Sequence, residues 1–455
     1  MKIILAVVLN AALLAALLPW LRREWRTLPN PWRVVFGTGL ALRLGTGLAR
    51  DWHPKDDAAF MSLFGHMVTA KLRAHPAEAW AILTQAVTVF PSNGGKGYPF
   101  VFQNTSNTWI LIKLLAVLNL ASLDRDRLNA LYLSLFAFAG CWLLVRKLAE
   151  TFPATPAAAG AAAFLLWPSV CFWATGLSKE AVLLSSGAWL TARVVSFCYR
   201  PAAGFFASGW GAARWWLGTA ALAGLHFGLR YFFAVPLLGA LAGVVVIEEF
   251  RRSGLLRSRW AQALALALLL GAGAWLVPQL SKAFSANKFT SQVMRVYDSD
   301  VAHSAHRPHF EYPDLRPTFG SIAAHAPLAV TNALTRPWLG ESWQPLYVAA
   351  ALENAALLVL LAVAAWAVAR RRAGRLPFGL TLGLLVFCVI LAFLIGLTTP
   401  NLGSLNRYRC ALLPYLLLLL LQNDYAAAAL RRLGPGPLRP AAEVEKGTAP
   451  ARPPA

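Results

Sequence analysis

PFGLTLGLLVFCVILAFLIGL, residues 377–397, carries no charge over its whole length and follows the basic run Arg370-Arg371-Arg372. An apolar stretch of about 17–25 residues is long enough to cross the hydrocarbon core of a bilayer. In lipid every backbone N–H and C=O must find a partner within the segment, which a helix provides. Similar runs recur along the 455 residues, and the alternation expected of barrel strands is absent from the sequence. The expected fold class is therefore an all-α polytopic membrane protein. Composition agrees: 58% of residues are hydrophobic and only 14% charged, with mean hydropathy +0.53, more apolar surface than one soluble core of this size can hide.

The formal net charge is +22, and the basic residues sit in short loops beside apolar runs rather than in one patch. That is the pattern of cytoplasmic loops in membrane proteins. It argues against nucleic acid as a partner and for anionic or phosphate-bearing lipids. Orienting the chain by its lysines and arginines predicts eleven transmembrane helices, at about 2–20, 34–50, 128–146, 156–174, 181–197, 215–228, 231–248, 260–279, 346–368, 377–397 and 411–422. The first run meets Leu21-Arg22-Arg23-Glu24-Trp25-Arg26 instead of a small-residue cleavage site, so it reads as a retained span with the N-terminus outside and the C-terminus inside. Two long hydrophilic loops, about 51–107 and 281–344, then fall on the outer side, opposite nearly all the arginine clusters. Just after the first, Trp109–Leu123 is apolar but short and reads as an interfacial or re-entrant helix on the outer side. The resulting organisation is 1–33, a span and basic loop; 34–422, the main transmembrane domain; and 423–455, a cytoplasmic tail without apolar periodicity and largely disordered beyond about 434. The five cysteines show no metal-type pairing and no legible disulfide framework.

Scarce charges on the outer side mark the candidate chemistry. Asp51-Trp52-His53-Pro54-Lys55-Asp56-Asp57 opens the first loop. A carboxylate there can act as general base on a hydroxyl, or ligate a divalent cation such as Mg2+ or Mn2+; the plainer reading is a loop start with capping aspartates. Arg407-Tyr408-Arg409 lies at the mouth of the last span, and the guanidinium fork matches phosphate oxygens, whereas interface snorkelling is the alternative. Lys179, in the turn Ser178-Lys179-Glu180, and Arg230 are further outer cations, with a local Lys179–Glu180 pair as the rival account. Arg43 falls inside a predicted span, where an ionisable residue is either functional or paired with a nearby carbonyl. His303, His306 and His309 read as a solvated loop rather than a zinc site. The many outer-loop aromatics read mostly as interface-belt residues, a minority of them able to stack on sugar rings.

Together these features resemble the GT-C superfamily, integral-membrane glycosyltransferases that use polyprenyl-phosphate-linked sugars. The likeness rests on the acidic motif at the start of a long outer loop, the short re-entrant helix, and the strings Trp167–Glu180, Leu334-Thr335-Arg336-Pro337-Trp338 and Pro400–Arg409. It covers most of 34–422 and implies that Asp56 or Asp57 stands at the catalytic position. The expected function is transfer of a sugar from a polyprenyl-phosphate donor to a glycan, lipid or protein acceptor at the periplasmic face of a bacterial inner membrane. Arg407, Arg409, Lys179 and Arg230 are the expected donor-phosphate ligands. A polysaccharide polymerase or O-antigen ligase, and a lipid-linked sugar flippase or transporter, are the rival classes. Transporters place polar residues at mid-span, whereas here they collect at the outer ends.

Overall fold

The computed structural model describes residues 2–52, 54, 56–91, 99–104, 106–199, 209–280, 286–433, 435–436 and 438. Most of the tail expected to be disordered, 434–455, lies outside them. The described chain is nearly all helix, in two compact units. The first comprises Met1–Gly140, Cys171–Gly187 and Gly218–Tyr231; the second comprises Cys141–Val170, Ala188–Leu217 and Phe232–Ala455.

The helices of the first half are α1 (Lys2–Thr27), α2 (Asn30–Arg50), α3 (Asp56–Ala74), α4 (Ala79–Thr84), α5 (Asn107–Ser122) and α6 (Asp126–Thr151). A hairpin of β1 (Val87–Phe90) and β2 (Phe100–Gln103) separates α4 from α5. Then come α7 (Ala157–Ala161), which runs into a π-helical turn at Ala162–Leu166, α8 (Pro168–Trp173), α9 (Lys179–Tyr199), α10 (Gly209–Leu229) and α11 (Tyr231–Arg252). The rest are α12 (Arg259–Leu280), α13 (Ala286–His303), α14 (Phe319–Thr335), α15 (Pro345–Ala369), α16 (Phe378–Thr398), α17 (Leu402–Arg409), α18 (Leu413–Leu421) and α19 (Asp424–Leu433).

Among the described residues, seven helices are long and apolar enough to cross a membrane: α1, α6, α9, α11, α12, α15 and α16. An eighth span arises if α18 and α19, bent by 92°, count as one. The chain is thus a multi-pass membrane protein by its helices, with fewer clear spans than the eleven expected. Three predicted spans fall outside that set. The run at 156–174 is broken by the π-turn and by Pro168, which cannot continue the preceding hydrogen-bond ladder. Helix α10 is rich in glycine and tryptophan. Helix α2 carries Arg33, Arg43 and Arg50, and its buried residues Trp32, Phe36, Gly39, Arg43 and Gly47 recur every three or four positions, so it packs by one stripe.

The two long loops are also more ordered than their polarity suggests. In the first, Met61, Phe64, Val68 and Leu72 form the buried stripe of α3. It faces α5, where Leu115 would lie 3.2 Å from a Cβ on Gly65, so the glycine permits a close crossing. Thr69 Oγ1 donates to the Ala116 carbonyl at 3.1 Å, and Asn119 Nδ2 donates back to Thr69 Oγ1 at 3.1 Å. The hairpin closes over one end. Its register pairs Phe90 with Phe100 and Thr88 with Phe102, and Phe60, Phe64, Phe90, Phe100, Phe102 and Trp109 form one cluster with ring centroids 4.8–6.3 Å apart. Four of these rings, Phe64, Phe90, Phe102 and Trp109, are buried. They are core residues, where the sequence suggested an interface belt or sugar platforms.

At the start of α6, Ser62 Oγ donates to Asp126 Oδ1 at 2.5 Å and His66 Nε2 lies 3.3 Å from the same oxygen. Hydrogen bonding and charge from Asp126 hold the His66 pKa above its ordinary 6.5, against a smaller lowering by burial. A histidine raised in the folded state stabilises fully below its unfolded pKa, and that contribution disappears as pH rises through the folded value. His66→Gln should therefore lower the melting temperature more at about pH 5.5 than at about pH 8.5. Because the His66 side chain is 35% exposed, the pair contributes less than about 1 kcal/mol. An equal loss at both pH values would refute the pairing.

In the second unit, α16 presents Gly379, Gly383 and Gly396 on its buried face. A Cβ at Gly396 would stand 1.9 Å from the Ala329 carbonyl of α14, and one at Gly383 would stand 2.6 Å from Val244 of α11. Small residues at crossings let membrane helices approach closely where no hydrophobic force drives them together. Tyr312 Oη seals the α14–α16 crossing, donating to the Gly396 carbonyl at 2.9 Å and accepting from Asn332 Nδ2 at 3.1 Å. The segment after α16 is tied to the histidine stretch of the second long loop. Asn401 N donates to Asp300 Oδ2 at 3.1 Å, and Asn401 Nδ2 donates to Ser304 Oγ at 2.9 Å. The Phe310 amide donates to the Pro400 carbonyl at 3.2 Å.

Candidate functional site

The buried stripe of α2 continues past its last turn to Asp51, which is 2% exposed. Asp51 Oδ2 accepts from the Leu177 amide at 2.5 Å, and Arg50 Nε lies 3.5 Å from Oδ1. Burial pushes the Asp51 carboxyl above the usual carboxylate range, while Arg50 and the Leu177 amide pull it back. The turn it grips, Cys171–Ser178, is held largely by α2. Arg50 Nη1 donates to the carbonyls of Phe172 at 2.9 Å and Trp173 at 3.1 Å, Arg43 Nη1 to that of Ala174 at 2.7 Å, and Thr46 Oγ1 to that of Cys171 at 3.1 Å. Gly176 sits at φ +66° with its amide donating to Ser134 Oγ at 2.9 Å, and a Cβ there would meet Asp51 Oδ2 at 1.8 Å. Both the backbone angle and the space require glycine. Arg43 is thus matched to a carbonyl, the second of its two expected readings.

Beyond this turn, Ser178 Oγ accepts from the Ala181 amide at 3.2 Å and caps α9. Lys179 and Glu180 each reach a different helix. Lys179 Nζ donates to Thr108 Oγ1 at the start of α5, at 2.8 Å. The fully buried Glu180 carboxylate lies 3.0 Å from Arg230 Nη2, beyond the end of α10. So the end of α2, the starts of α5 and α9 and the end of α10 are joined by consecutive polar contacts at one end of the first unit. Lys179 and Arg230 keep partial exposure there.

Asp56 and Asp57 begin α3, five and six residues after Asp51, and both are exposed. Five residues of chain reach at most about 18 Å, which keeps them near the same end. Their acidic side chains suit a helix N-terminus, whose free N–H groups favour negative charge. Asp56 adopts φ +47°, a left-handed angle that aspartate tolerates better than most residues. Nearby, the Arg127 guanidinium stands 3.7 Å over the exposed Trp52 ring.

Arg407 and Arg409 belong to the second unit and differ sharply. Arg409 is 1% exposed, and its Nη1 lies 2.6 Å from the Arg336 carbonyl, 2.9 Å from Asn354 Oδ1 and 3.4 Å from the Ala333 carbonyl. The guanidinium holds the Ala333–Arg336 backbone against α15. Arg407 is half-buried, with its guanidinium 5.9 Å from the Tyr408 ring. The start of the string Trp167–Glu180, up to Val170, and the string Leu334–Trp338 lie in this unit as well. Ser169 N and Oγ both donate to Glu353, and Arg336 pairs with Glu341 at 2.5 Å beneath the rings of Trp338 and Phe310.

His303 Nδ1 contacts the Ser299 carbonyl at 2.6 Å and His309 Nε2 contacts Glu311 at 3.0 Å. Among the described residues, no three His, Cys, Asp or Glu side chains gather closely enough to hold a metal ion. The residues that sequence reasoning passed over are Arg50 and the partner of Lys179, Thr108. Arg50 was detectable as a basic residue on the outer side of the predicted topology; Thr108 carried no signal. No protein-family model matches the chain, and neither a curated protein nor a solved structure matches it.

Proposed function

We propose that this chain is a GT-C-type membrane glycosyltransferase, moving a sugar from a polyprenyl-phosphate donor to an acceptor hydroxyl on a glycan, lipid or protein. One observation supports the reading: Lys179 and Arg230, both part-exposed, are tied into one end of the first unit, and the exposed carboxylates Asp56 and Asp57 follow within six residues of Asp51, which holds the turn before Lys179. Cations suit a lipid-linked phosphate, and an exposed carboxylate suits the acceptor. In the step, Asp56 or Asp57 takes the proton of the acceptor hydroxyl. The acceptor oxygen forms the new bond to the anomeric carbon, the bond from that carbon to the phosphate oxygen breaks, and polyprenyl phosphate departs with its charge balanced by Lys179 and Arg230. Arg407 keeps the exposure that a phosphate contact requires, and Arg407→Ala tests for a share in donor binding. An ion such as Mg2+ or Mn2+ takes one or two carboxylates plus substrate phosphate oxygens; the aspartate pair fits that donor set, and chelation with EDTA reversed by Mg2+ would reveal the ion.

The decisive assay uses purified protein in vesicles of the host's lipids, with polyprenyl-phosphate monosaccharides as donors. A new glycosidic bond with release of polyprenyl phosphate supports the proposal. Turnover only with pyrophosphate-linked oligosaccharides favours the polymerase or ligase, and lipid-linked sugar crossing the vesicle without bond formation favours the flippase.

Within this reading the protein lies in a bacterial inner membrane with its N-terminus outside and C-terminus inside, and α2 crosses with Arg43 satisfied by the Ala174 carbonyl. All five native cysteines are buried, so introduced thiols report alone. Gln85→Cys and Ala305→Cys, both at exposed positions of the long loops, should react with a membrane-impermeant maleimide in cells whose outer membrane alone is permeabilised. Ala373→Cys, in the arginine loop after α15, should react only after the inner membrane is opened. The reverse pattern would overturn the orientation.

A further inference from the structure

Helix α1 is apolar and almost unpacked. Ile3, Ile4, Val7 and Val8 are 57–69% exposed, and only Ala6 and Glu24 are buried along its length. It is pinned near its middle, where Asn10 Nδ2 donates to the Ala121 carbonyl at 2.8 Å and Tyr132 Oη donates to Asn10 Oδ1 at 2.6 Å. Toward its C-terminal end it stands off α2, leaving an open groove of about 350 Å³ lined by Arg22, Trp25, Arg26, Phe36, Gly37 and Leu40. That volume falls within the range of small-molecule sites, about 300–1,000 Å³. A Cβ on Gly37 would stand 3.5 Å from the Trp25 ring, so the glycine keeps the floor open and any longer side chain there fills it.

The rim is basic. Arg22 and Arg26 stand one helical turn apart on the groove side, both exposed, with Arg23 and Arg33 close in sequence. The acid of this turn, Glu24, is buried and lies 3.8 Å from Arg23. Trp25, between the two groove arginines, is a residue type that settles at the level of lipid head groups. An apolar floor, a basic rim and an interfacial tryptophan at the end of a membrane-crossing helix together specify one occupant.

We propose that this groove is a binding site for one anionic phospholipid, its phosphate on Arg22 and Arg26 and one acyl chain along Phe36, Gly37 and Leu40. The inference is independent of the transferase reading, since it uses none of the residues assigned there. Selectivity follows from charge: a zwitterionic lipid offers the same chain but brings its own cation to the arginines.

The test is native mass spectrometry of the full chain released from micelles containing equal amounts of phosphatidylglycerol and phosphatidylcholine with identical chains. The wild type is expected to retain one tightly held phosphatidylglycerol. Arg22→Gln/Arg26→Gln should lose it, with affinity falling about five-fold per arginine, or roughly 25-fold in all. Arg22→Lys/Arg26→Lys keeps the charge and should keep the lipid. Gly37→Leu should lose it with the arginines intact, because the chain has no seat. Arg371→Gln/Arg372→Gln, in a different basic loop, should retain it. All these positions except Gly37 are exposed, and thermal melting confirms that each variant is folded. Unchanged retention in Arg22→Gln/Arg26→Gln or Gly37→Leu would overturn the proposal. So would displacement of the lipid by millimolar inorganic phosphate, since the site would then read phosphate without a chain.

Discussion

A Glu180→Gln variant is expected to lose about 3–5 kcal/mol of stability, the usual result of removing one member of a buried ion pair. The Glu180 side chain is fully buried and that of Arg230 is 12% exposed, with 3.0 Å between them. Taking away the carboxylate leaves the guanidinium with little water and without that counter-charge. The double variant Glu180→Gln/Arg230→Gln should recover much of the loss, because neither residue then carries a charge. Thermal unfolding of the purified protein measures both. A Glu180→Gln protein that melts with the wild type would mean that the pair does not hold α9 to the end of α10.

Asp56→Asn and Asp57→Asn should behave in the opposite way, with a large effect on rate and little on stability. Loss of a general base typically lowers turnover by about 10²–10⁴-fold. Both side chains are exposed, so the folded protein should change by no more than the ~0.3–1 kcal/mol that a first-turn carboxylate gains from the helix dipole. Asp51→Asn supplies the contrast. It weakens the anchor of the Cys171–Ser178 turn at the Leu177 amide and should lower melting temperature and activity together. Sugar transfer at the wild-type rate in both Asp56→Asn and Asp57→Asn would remove the proposed base. A rate loss confined to Asp51→Asn and matched by unfolding would move the chemistry elsewhere.

What could be read beforehand follows from what is local. The long apolar runs at 2–20, 128–146, 346–368 and 377–397, with at most one charge each, became helices because length and hydropathy suffice. Local criteria failed where a helix is stabilised by its neighbours. Helix α2 was placed by hydropathy, but its stripe from Trp32 to Asp51 shows that it packs on protein, with Arg43 satisfied by a carbonyl 131 residues away. The first long loop looked hydrophilic on average, although Met61, Phe64, Val68 and Leu72 already carried helical spacing. Of the site, the residue types at the outer ends were visible, but their partners were not. Glu180 sits beside Lys179 in sequence yet pairs with Arg230, fifty residues on. Arg407 and Arg409 looked equivalent, and only packing separates a half-exposed guanidinium from one enclosed by carbonyl oxygens.

The aromatic cluster under the hairpin has a consequence for how the chain assembles. Its rings run from Phe60 to Trp109 and are drawn from α3, the hairpin and α5. Contacts this near in sequence form quickly, because little loop entropy is lost in making them. A ribosome adds about 5–20 residues each second, so seconds pass between the completion of Trp109 and the appearance of Lys179 and Arg230. The segment from α3 to α5 can therefore collapse while the chain is still growing, and the later helices arrive at a surface already formed. A defect inside it, such as Phe64→Ala, would be met early in synthesis, as a lower yield of full-length protein, rather than as a mature protein with altered behaviour.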